Sequence, residues 1–183
     1  MKHVTFITGN QHKADYLAKL LGMEIDHQKV ELDEIQSMSP QTVVEHKVRQ
    51  AYGILKCPVL VEDTCMGFDA LGGLPGPFIK FFIEQENGAE KLCRMCDGLE
   101  SRRATATVTF GYYDGKQLEF FQNSIHGDIA EHPGQLINGF GWDMIFIPDG
   151  YGGVIRSELD ETAYDELYQV VKPVAQVREF LKG

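Results

Sequence analysis

Two adjacent carboxylates, Glu62 and Asp63, directly follow apolar residues 59–61, which predict a buried strand. Residues 71–77 are rich in Gly and Pro and predict a loop soon afterwards. Acids at the end of a strand beside such a loop commonly hold a divalent cation next to a substrate. Because successive strand positions face opposite sides of a sheet, a regular strand cannot offer both carboxylates to one ion. We expect Asp63 to face the cation and Glu62 to support it, the alternative being two solvated acids.

A second candidate site lies near the N-terminus, where strand-like residues 2–7 lead through Thr8, Gly9 and Asn10 into a helical pattern. Unpaired N–H groups and the dipole at the start of a helix attract anions, and Lys13 adds a positive charge one turn later. This arrangement suits a phosphate chain. It is shorter than a P-loop, however, and a purely structural turn with a solvated lysine is the alternative. One further acid, on the loop before the second predicted helix, is available to a metal site: Glu34.

The composition narrows the classes of partner. With 183 residues, 43% of them hydrophobic, the sequence can form a full-sized core, and we expect one domain, residues 1–183. The formal net charge of −10 argues against a nucleic-acid backbone as the main partner. No apolar run approaches the roughly 20 residues of a membrane span, and no signal-peptide core is evident. We therefore expect a cytoplasmic protein with reduced cysteines and with neither membrane nor nucleic-acid partners.

Alternating periodicities predict a mixed α/β fold. Helices are expected at residues 11–21 and at about residues 40–55, because Gly22 can end the first and Ser39 can cap the second. The second half alternates like antiparallel strands joined by turns. The remaining predicted elements are helices at residues 78–86 and 89–96 and after residue 173, and strands at residues 23–30, 104–110, 117–125, 127–130 and 144–147.

Four separated motifs occur along the chain: Thr8-Gly9-Asn10-x-x-Lys13, Val61-Glu62-Asp63-Thr64, residues 70–80 (ALGGLPGPFIK) and Gly139-Phe140-Gly141-Trp142-Asp143. Together and in this order, they resemble the inosine triphosphate pyrophosphatase family, over roughly residues 3–151. Members of that family hydrolyse aberrant purine nucleotides such as ITP, dITP and XTP. The resemblance implies an elongated, two-lobed α/β domain around a central mixed β-sheet, with the active-site cleft between the lobes.

The resemblance also implies residue roles, a cofactor and an assembly. The cofactor would be Mg²⁺, with Mn²⁺ as the alternative, and the assembly a homodimer. Carried over motif by motif, the metal-binding residues are Glu34 and Asp63, and the catalytic residues are Asp63, Glu62 and Lys47. The substrate-binding residues are Thr8, Gly9, Asn10, Lys13, Lys47, Thr64 and Lys80 for the phosphates and Phe140, Gly141, Trp142 and Asp143 for the base, with Phe140 stacking on it.

The C-terminal part of the chain departs from the family pattern. Family members carry a Lys and then a Ser-His-Arg step that contact the purine, whereas here Tyr164 replaces the Lys and residues 168–170, Tyr-Gln-Val, replace the step. Hydrogen bonds from charged donors are worth about 1.5–3 kcal/mol each, so their loss puts the base preference in question. Gln169 is the candidate reader of the base, since an amide both donates and accepts. Alternatively, these residues only pack a C-terminal helix, and Lys172 is a candidate substitute cation.

The predicted reaction is the metal-dependent hydrolysis of a nucleoside triphosphate to the monophosphate and pyrophosphate. A triphosphate brings about four negative charges, and a divalent cation with several lysines can neutralise the charge that develops as the bond breaks. The alternative is a catalytically weak nucleotide-binding or sensor protein that keeps the pocket without efficient turnover.

Overall fold

The computed structural model describes residues 2–183, except for the side chain of His12. Six α-helices, seven strands and short 3₁₀ turns make up this part of the chain, which confirms the predicted α/β class. The strands are β1 (Thr5–Ile7), β2 (Asp26–Gln28), β3 (Val59–Phe68), β4 (Pro75–Gly76), β5 (Arg103–Tyr113), β6 (Leu118–Ile129) and β7 (Phe146–Pro148). The helices are α1 (Gln11–Leu21), α2 (Pro40–Leu55), α3 (Ile79–Ile83), α4 (Gly88–Met95), α5 (Glu161–Val171) and α6 (Val174–Lys182).

The strands form one mixed sheet in the order β2-β1-β3-β5-β6-β7, with β4 paired to β3. Strand β1 runs parallel to both β2 and β3, whereas β4 is antiparallel to β3 and β7 is antiparallel to β6. Phe6 lies opposite Leu60, so the residues that follow β1 lie beside the part of β3 that carries Glu62. The central mixed β-sheet implied by the family resemblance is therefore confirmed.

The chain divides into two compact units, and strands β3, β5 and β6 contribute residues to both. The first unit comprises the described part of Met1–Asp63, together with Val108–Asn123 and Lys172–Gly183. The second comprises Thr64–Thr107 and Ser124–Val171. The expectation of one domain, residues 1–183, stays a prediction.

Each unit has its own apolar core. In the first, the inner face of α2, with Val44 and Val48, packs on Val59 and Val61 of β3. In the second, a larger cluster is built on Phe68 and also contains Met66, Ile79, Leu92, Cys93, Ala106, Ile129, Trp142, Ile145 and Phe146. None of the helices in residues 2–183 combines the length and the apolar character that crossing a membrane requires.

The two N-terminal helices begin and end where the sequence predicts. Asn10 caps α1 by accepting a hydrogen bond from the backbone N–H of Lys13, and Gly22 ends α1 in the left-handed conformation with φ 64°. Ser39 caps α2 by accepting from the N–H of Thr42, and Pro40 occupies its first position. Local capping chemistry therefore suffices to locate both helices.

Three expectations about the other elements are wrong. Strand β3 does not end at the carboxylates Glu62 and Asp63, as expected, but continues beyond them to Phe68. The two strands expected at residues 117–125 and 127–130 are one strand, β6. Residues 144–147, expected as a strand, begin inside a 3₁₀ turn, and β7 starts only at Phe146. In β3, the ion pairs described below keep Glu62 and Asp63 inside a continuous strand.

We predict that Gly111→Ala destabilises the protein by about 1–3 kcal/mol, the usual cost of overpacking. A β-carbon at Gly111 of β5 would lie 2.3 Å from Cγ1 of Val44 on α2, and a buried β-branched side chain has little freedom to move away. Gly53→Ala is the matched control. Gly53 lies in α2, the helix that carries Val44, and a β-carbon there would meet no neighbouring atom within 4 Å. That control should be neutral or stabilising by about 0.5–1 kcal/mol in urea unfolding. Equal free energies of unfolding for the two variants would contradict this account of the α2–β5 contact.

Candidate active site

Lys47 joins the two predicted metal ligands in the first unit. Its Nζ lies 2.7 Å from Oδ1 of Asp63 on β3 and 3.0 Å from Oε1 of Glu34 on the preceding loop. Helix α2 buries Val43 and Val44 in the core, and Lys47 follows them one turn later, which leaves its side chain 9% exposed. The two carboxylates thus converge on one ammonium group.

The loop that carries Glu34 is held by the two residues before it. Gln50 of α2 donates to Oδ2 of Asp33 at 2.9 Å and accepts from the Asp33 backbone N–H at 2.8 Å. Leu32 packs against the core of the first unit. Because these two preceding residues are fixed, Glu34 is directed toward Lys47 although its own side chain is 36% exposed.

Glu62 makes a separate set of ion pairs. Its Oε2 lies 2.6 Å from Nζ of Lys172, and its Oε1 lies 3.4 Å from Nζ of Lys13. The Glu62 carboxylate is only 4% exposed. Adjacent residues of β3 point to opposite faces, which is why Glu62 and Asp63 bind different lysines. The expectation that one ion cannot bind both carboxylates agrees with this geometry.

The protonation equilibria of these groups reflect how the lysines are shared. Burial alone would raise the pKa of Glu62, but the nearby Lys172 and Lys13 outweigh it and lower that pKa to about 2. Burial also raises the pKa of Asp63, and Lys47 only partly opposes this, because Glu34 and Glu62 repel the Asp63 charge. Burial would lower the pKa of Lys47, but its two carboxylates raise it.

The loop between β1 and α1 is ordered by its own polar side chains. The Thr8 hydroxyl accepts from the Asn10 N–H at 3.1 Å, and the Asn10 side-chain oxygen accepts from the Lys13 N–H at 3.2 Å. Gly9 is a close-approach position, since a β-carbon there would lie 2.9 Å from Cδ of Lys29. The exposed loop therefore places a helix N-terminus and lysines together, as an anion site requires.

The second unit contains a distinct cluster around Asp143, which is 3% exposed. Its Oδ2 accepts from the Phe140 backbone N–H at 2.9 Å and from the Tyr164 hydroxyl at 3.2 Å, and its Oδ1 pairs with Arg156 at 2.9 Å. Gly139, with φ 80°, has no room for a β-carbon, which would lie 2.0 Å from that Oδ2. Burial and the Asp143 charge raise the pKa of the Tyr164 hydroxyl, so it stays protonated and donates. The loop is thereby fixed with Phe140 half exposed.

Several predicted residues lie outside these clusters. Thr64 and Lys80 belong to the second unit, where Lys80 is exposed on α3, and Gln169 is exposed on α5. Their proposed contacts with substrate stay predictions. Arg156 and Gln50 were missed by the sequence analysis. A lone Arg after a Gly-rich turn and a helical Gln carry no local signal of partners that are 13 or more residues away.

The donor set fits a divalent cation. Glu34 and Asp63 supply hard carboxylate oxygens, and both already contact the same positive group, Lys47. Across residues 2–183 no group of three or more His, Cys, Asp or Glu side chains is arranged to hold a metal. Two carboxylates suit a hard divalent cation that takes its remaining ligands from water and phosphates.

Comparison with known proteins gives concordant results. A family model described as the Ham1 family matches residues 4–179. The chain is 35% identical to the inosine triphosphate pyrophosphatase of Candida albicans (strain WO-1), covering 99% of this chain and 98% of that protein. It is 40% identical to inosine triphosphate pyrophosphatase 2 of Trypanosoma cruzi (strain CL Brener), covering 98% and 90%. A HAM1 protein from Coxiella burnetii has the same fold, with a TM-score of 0.86 at 19% identity, covering 100% of this chain and 99% of that one.

We predict that Glu62 contributes stability that acid removes. Its folded-state pKa, about 2, lies below the usual 4.5, so the contribution is fully present above pH 4.5 and is lost as the pH falls toward 2. At about 1.4 kcal/mol per pKa unit this amounts to roughly 3 kcal/mol. Urea unfolding of wild type and Glu62→Gln at several pH values measures it. The difference between the two proteins should shrink steadily below pH 4.5, and a difference that does not change with pH would refute the assignment.

Proposed function

Because this chain belongs to the Ham1 family, we propose that it is a nucleoside triphosphate pyrophosphohydrolase that acts on non-standard purine nucleotides. The resemblance recognised in the four sequence motifs is confirmed by that membership. The relatives named inosine triphosphate pyrophosphatase support ITP as a substrate. We propose dITP and XTP as further substrates. The products are the nucleoside monophosphate and pyrophosphate.

One observation carries the proposal: Glu34, Lys47 and Asp63 meet in a single ion-paired group. Acids and a lysine in hydrogen-bonding contact provide both a cation site and a fixed positive charge beside it. Lys13, at the start of α1, pairs with Glu62, the residue directly before Asp63 on β3. The proposed metal ligands, Glu34 and Asp63, and the proposed phosphate-binding lysines Lys13 and Lys47 therefore all belong to the first unit.

The charge balance of this part supports the need for a metal. Three lysines, Lys13, Lys47 and Lys172, are paired with three carboxylates, so this network carries no net charge. A triphosphate adds about four negative charges, and such a charge-balanced network cannot neutralise them by itself. Glu34 and Asp63 would hold Mg²⁺, which when bound supplies charge neutralisation and polarises the phosphate oxygens.

Asp63 is proposed as the group that orients or deprotonates the attacking water. Burial and repulsion from neighbouring carboxylates raise its pKa, which makes it a stronger base than an exposed aspartate. Lys47 fixes the Asp63 side chain through the 2.7 Å ion pair and is placed to balance developing negative charge. Glu62 keeps Lys13 and Lys172 in position rather than binding the metal.

The base is proposed to bind in the second unit, where Phe140 is half exposed and supplies a face for stacking. Gly141 and Trp142 complete the loop that presents it. Thr8, Gly9, Asn10, Thr64 and Lys80 are proposed to contact phosphates, and Gln169 the base. We further propose Mg²⁺ rather than Mn²⁺, a homodimer, a single domain, a cytoplasmic location and no nucleic-acid partner.

The reaction class is tested by measuring product release from a panel of nucleotides with Mg²⁺. We expect pyrophosphate and the monophosphate from ITP, dITP and XTP, loss of activity with EDTA, and recovery when Mg²⁺ is restored. Release of orthophosphate would indicate a different phosphohydrolase. Tight nucleotide binding without turnover would indicate the sensor alternative, and either result would overturn the proposal.

We predict that Asp63→Asn lowers turnover by two or more orders of magnitude while the protein remains folded. The amide keeps the shape of the side chain but can neither accept a proton nor carry the charge that the metal and Lys47 require. Asp69→Asn is the matched control, since Asp69 is an exposed acid just after the same strand. Steady-state rates with ITP and thermal melting decide the outcome. If Asp63→Asn turns over as fast as the control, Asp63 has no part in the chemistry.

A further inference from the structure

Arg156 is a buried cation in the second unit that none of the sequence motifs contains. Its side chain is 5% exposed, and Nη1 forms an ion pair with Oδ1 of Asp143 at 2.9 Å. The guanidinium carbon lies 5.2 Å from the ring centre of Trp142 and 5.3 Å from that of Tyr164. The 3₁₀ turn that starts at Arg156 is fixed by the next residue, because the Ser157 hydroxyl donates to the Gln135 carbonyl at 2.7 Å. Arg156 is therefore held in a defined orientation.

Both carboxylate oxygens of Asp143 are engaged within the protein. The Phe140 N–H and the Tyr164 hydroxyl donate to Oδ2, and Arg156 forms an ion pair with Oδ1. These contacts let Asp143 hold the loop of Phe140 and anchor Arg156.

The Arg156 side chain retains donor capacity. Its Nε–H is buried and has no hydrogen-bond partner among the described residues. Burying an unsatisfied donor costs about 1–3 kcal/mol, so natural structures seldom keep one without a reason. Asp143 pairs with Arg156 and also accepts from the backbone N–H of Phe140, so this donor belongs to the same cluster as the loop that presents the half-exposed ring.

We propose that Arg156 is a specificity-determining residue, which donates a hydrogen bond to an acceptor on the edge of the base that stacks on Phe140. This inference rests on the proposed function for the existence of a nucleotide substrate. It deepens that function by naming a base-recognition residue outside the C-terminal helix. The guanidinium of Arg156, which contacts the rings of Trp142 and Tyr164, replaces the Lys and Ser-His-Arg side chains that the sequence lacks.

The chemistry of a guanidinium predicts which bases it accepts. Arginine pairs with adjacent oxygen and nitrogen acceptors, as on the O6 and N7 edge of a purine. A 6-oxo purine presents both acceptors, whereas a 6-amino purine presents an N–H₂ donor next to N7 and repels a second donor. Arg156 therefore favours hypoxanthine, xanthine and guanine over adenine, a choice that Gln169 alone, with both a donor and an acceptor, would not make.

The decisive experiment measures binding of IMP and of AMP by calorimetry, without metal or turnover. Wild type should bind IMP more tightly than AMP. Arg156→Lys keeps a positive charge for Asp143 but removes the planar donor, so it should lower the IMP-to-AMP affinity ratio several-fold while AMP binding changes little. Arg156→Ala should lower the ratio about tenfold or more. The same ratios are then measured as kcat/KM for ITP against ATP.

Arg103→Lys is the matched control, because Arg103 is another arginine of the second unit paired with acids, Asp128 and Asp149, but on the surface. The IMP-to-AMP affinity ratio of Arg103→Lys should equal that of wild type. If Arg156→Lys weakens IMP and AMP equally, Arg156 only supports the loop and the proposal is overturned, even where Arg156→Ala does not fold. Nucleotide binding with the expected ratios but without turnover would refute the proposed reaction and leave the role of Arg156 intact.

Discussion

The burial of two adjacent carboxylates in β3 is the constraint on which the first unit depends. An ionised carboxylate removed from water is strongly destabilising unless a cation and hydrogen bonds replace its hydration. Glu62 and Asp63 face opposite sides of the strand, so one cation cannot serve both. Lys13 on α1 and Lys172, just before α6, pair with the acid on one face, and Lys47 on α2 pairs with the acid on the other. The positions of these helices around β3 meet that requirement.

The two faces of β3 are not electrostatically equivalent, and the difference suits distinct roles. Glu62 has two lysines and remains a fixed anion at any physiological pH, which makes it a good holder of cations. Asp63 shares one lysine with Glu34, so its negative charge is undercompensated. A site that lacks positive charge attracts a metal ion, and an acid with a raised pKa is a better base. The same strand thus carries, at neighbouring residues, one acid paired with two lysines and one acid that shares a single lysine.

The second unit uses the opposite arrangement, in which one carboxylate is surrounded by donors. Asp143 receives bonds from a backbone N–H, a hydroxyl and a guanidinium, and Gly139 makes room for its oxygen. These contacts let Asp143 anchor the Phe140 loop and Arg156. Within this cluster, the buried Nε–H of Arg156 has no hydrogen-bond partner among the described residues. A divergent C-terminal segment is therefore compatible with a base pocket that discriminates through a different residue.

The sequence by itself determined the α/β class, the limits of α1 and α2 and the residues proposed for the site, because these depend on local capping, periodicity and short motifs. It did not determine that β3 continues through its acids, that Gln50 fixes the Glu34 loop, or that Arg156 pairs with Asp143. Each of those features depends on partners distant in the chain, such as Lys172, 110 residues from Glu62. A polar residue in a strand resembles a strand end until its buried counter-charge is known, and only the tertiary structure brings that counter-charge into contact.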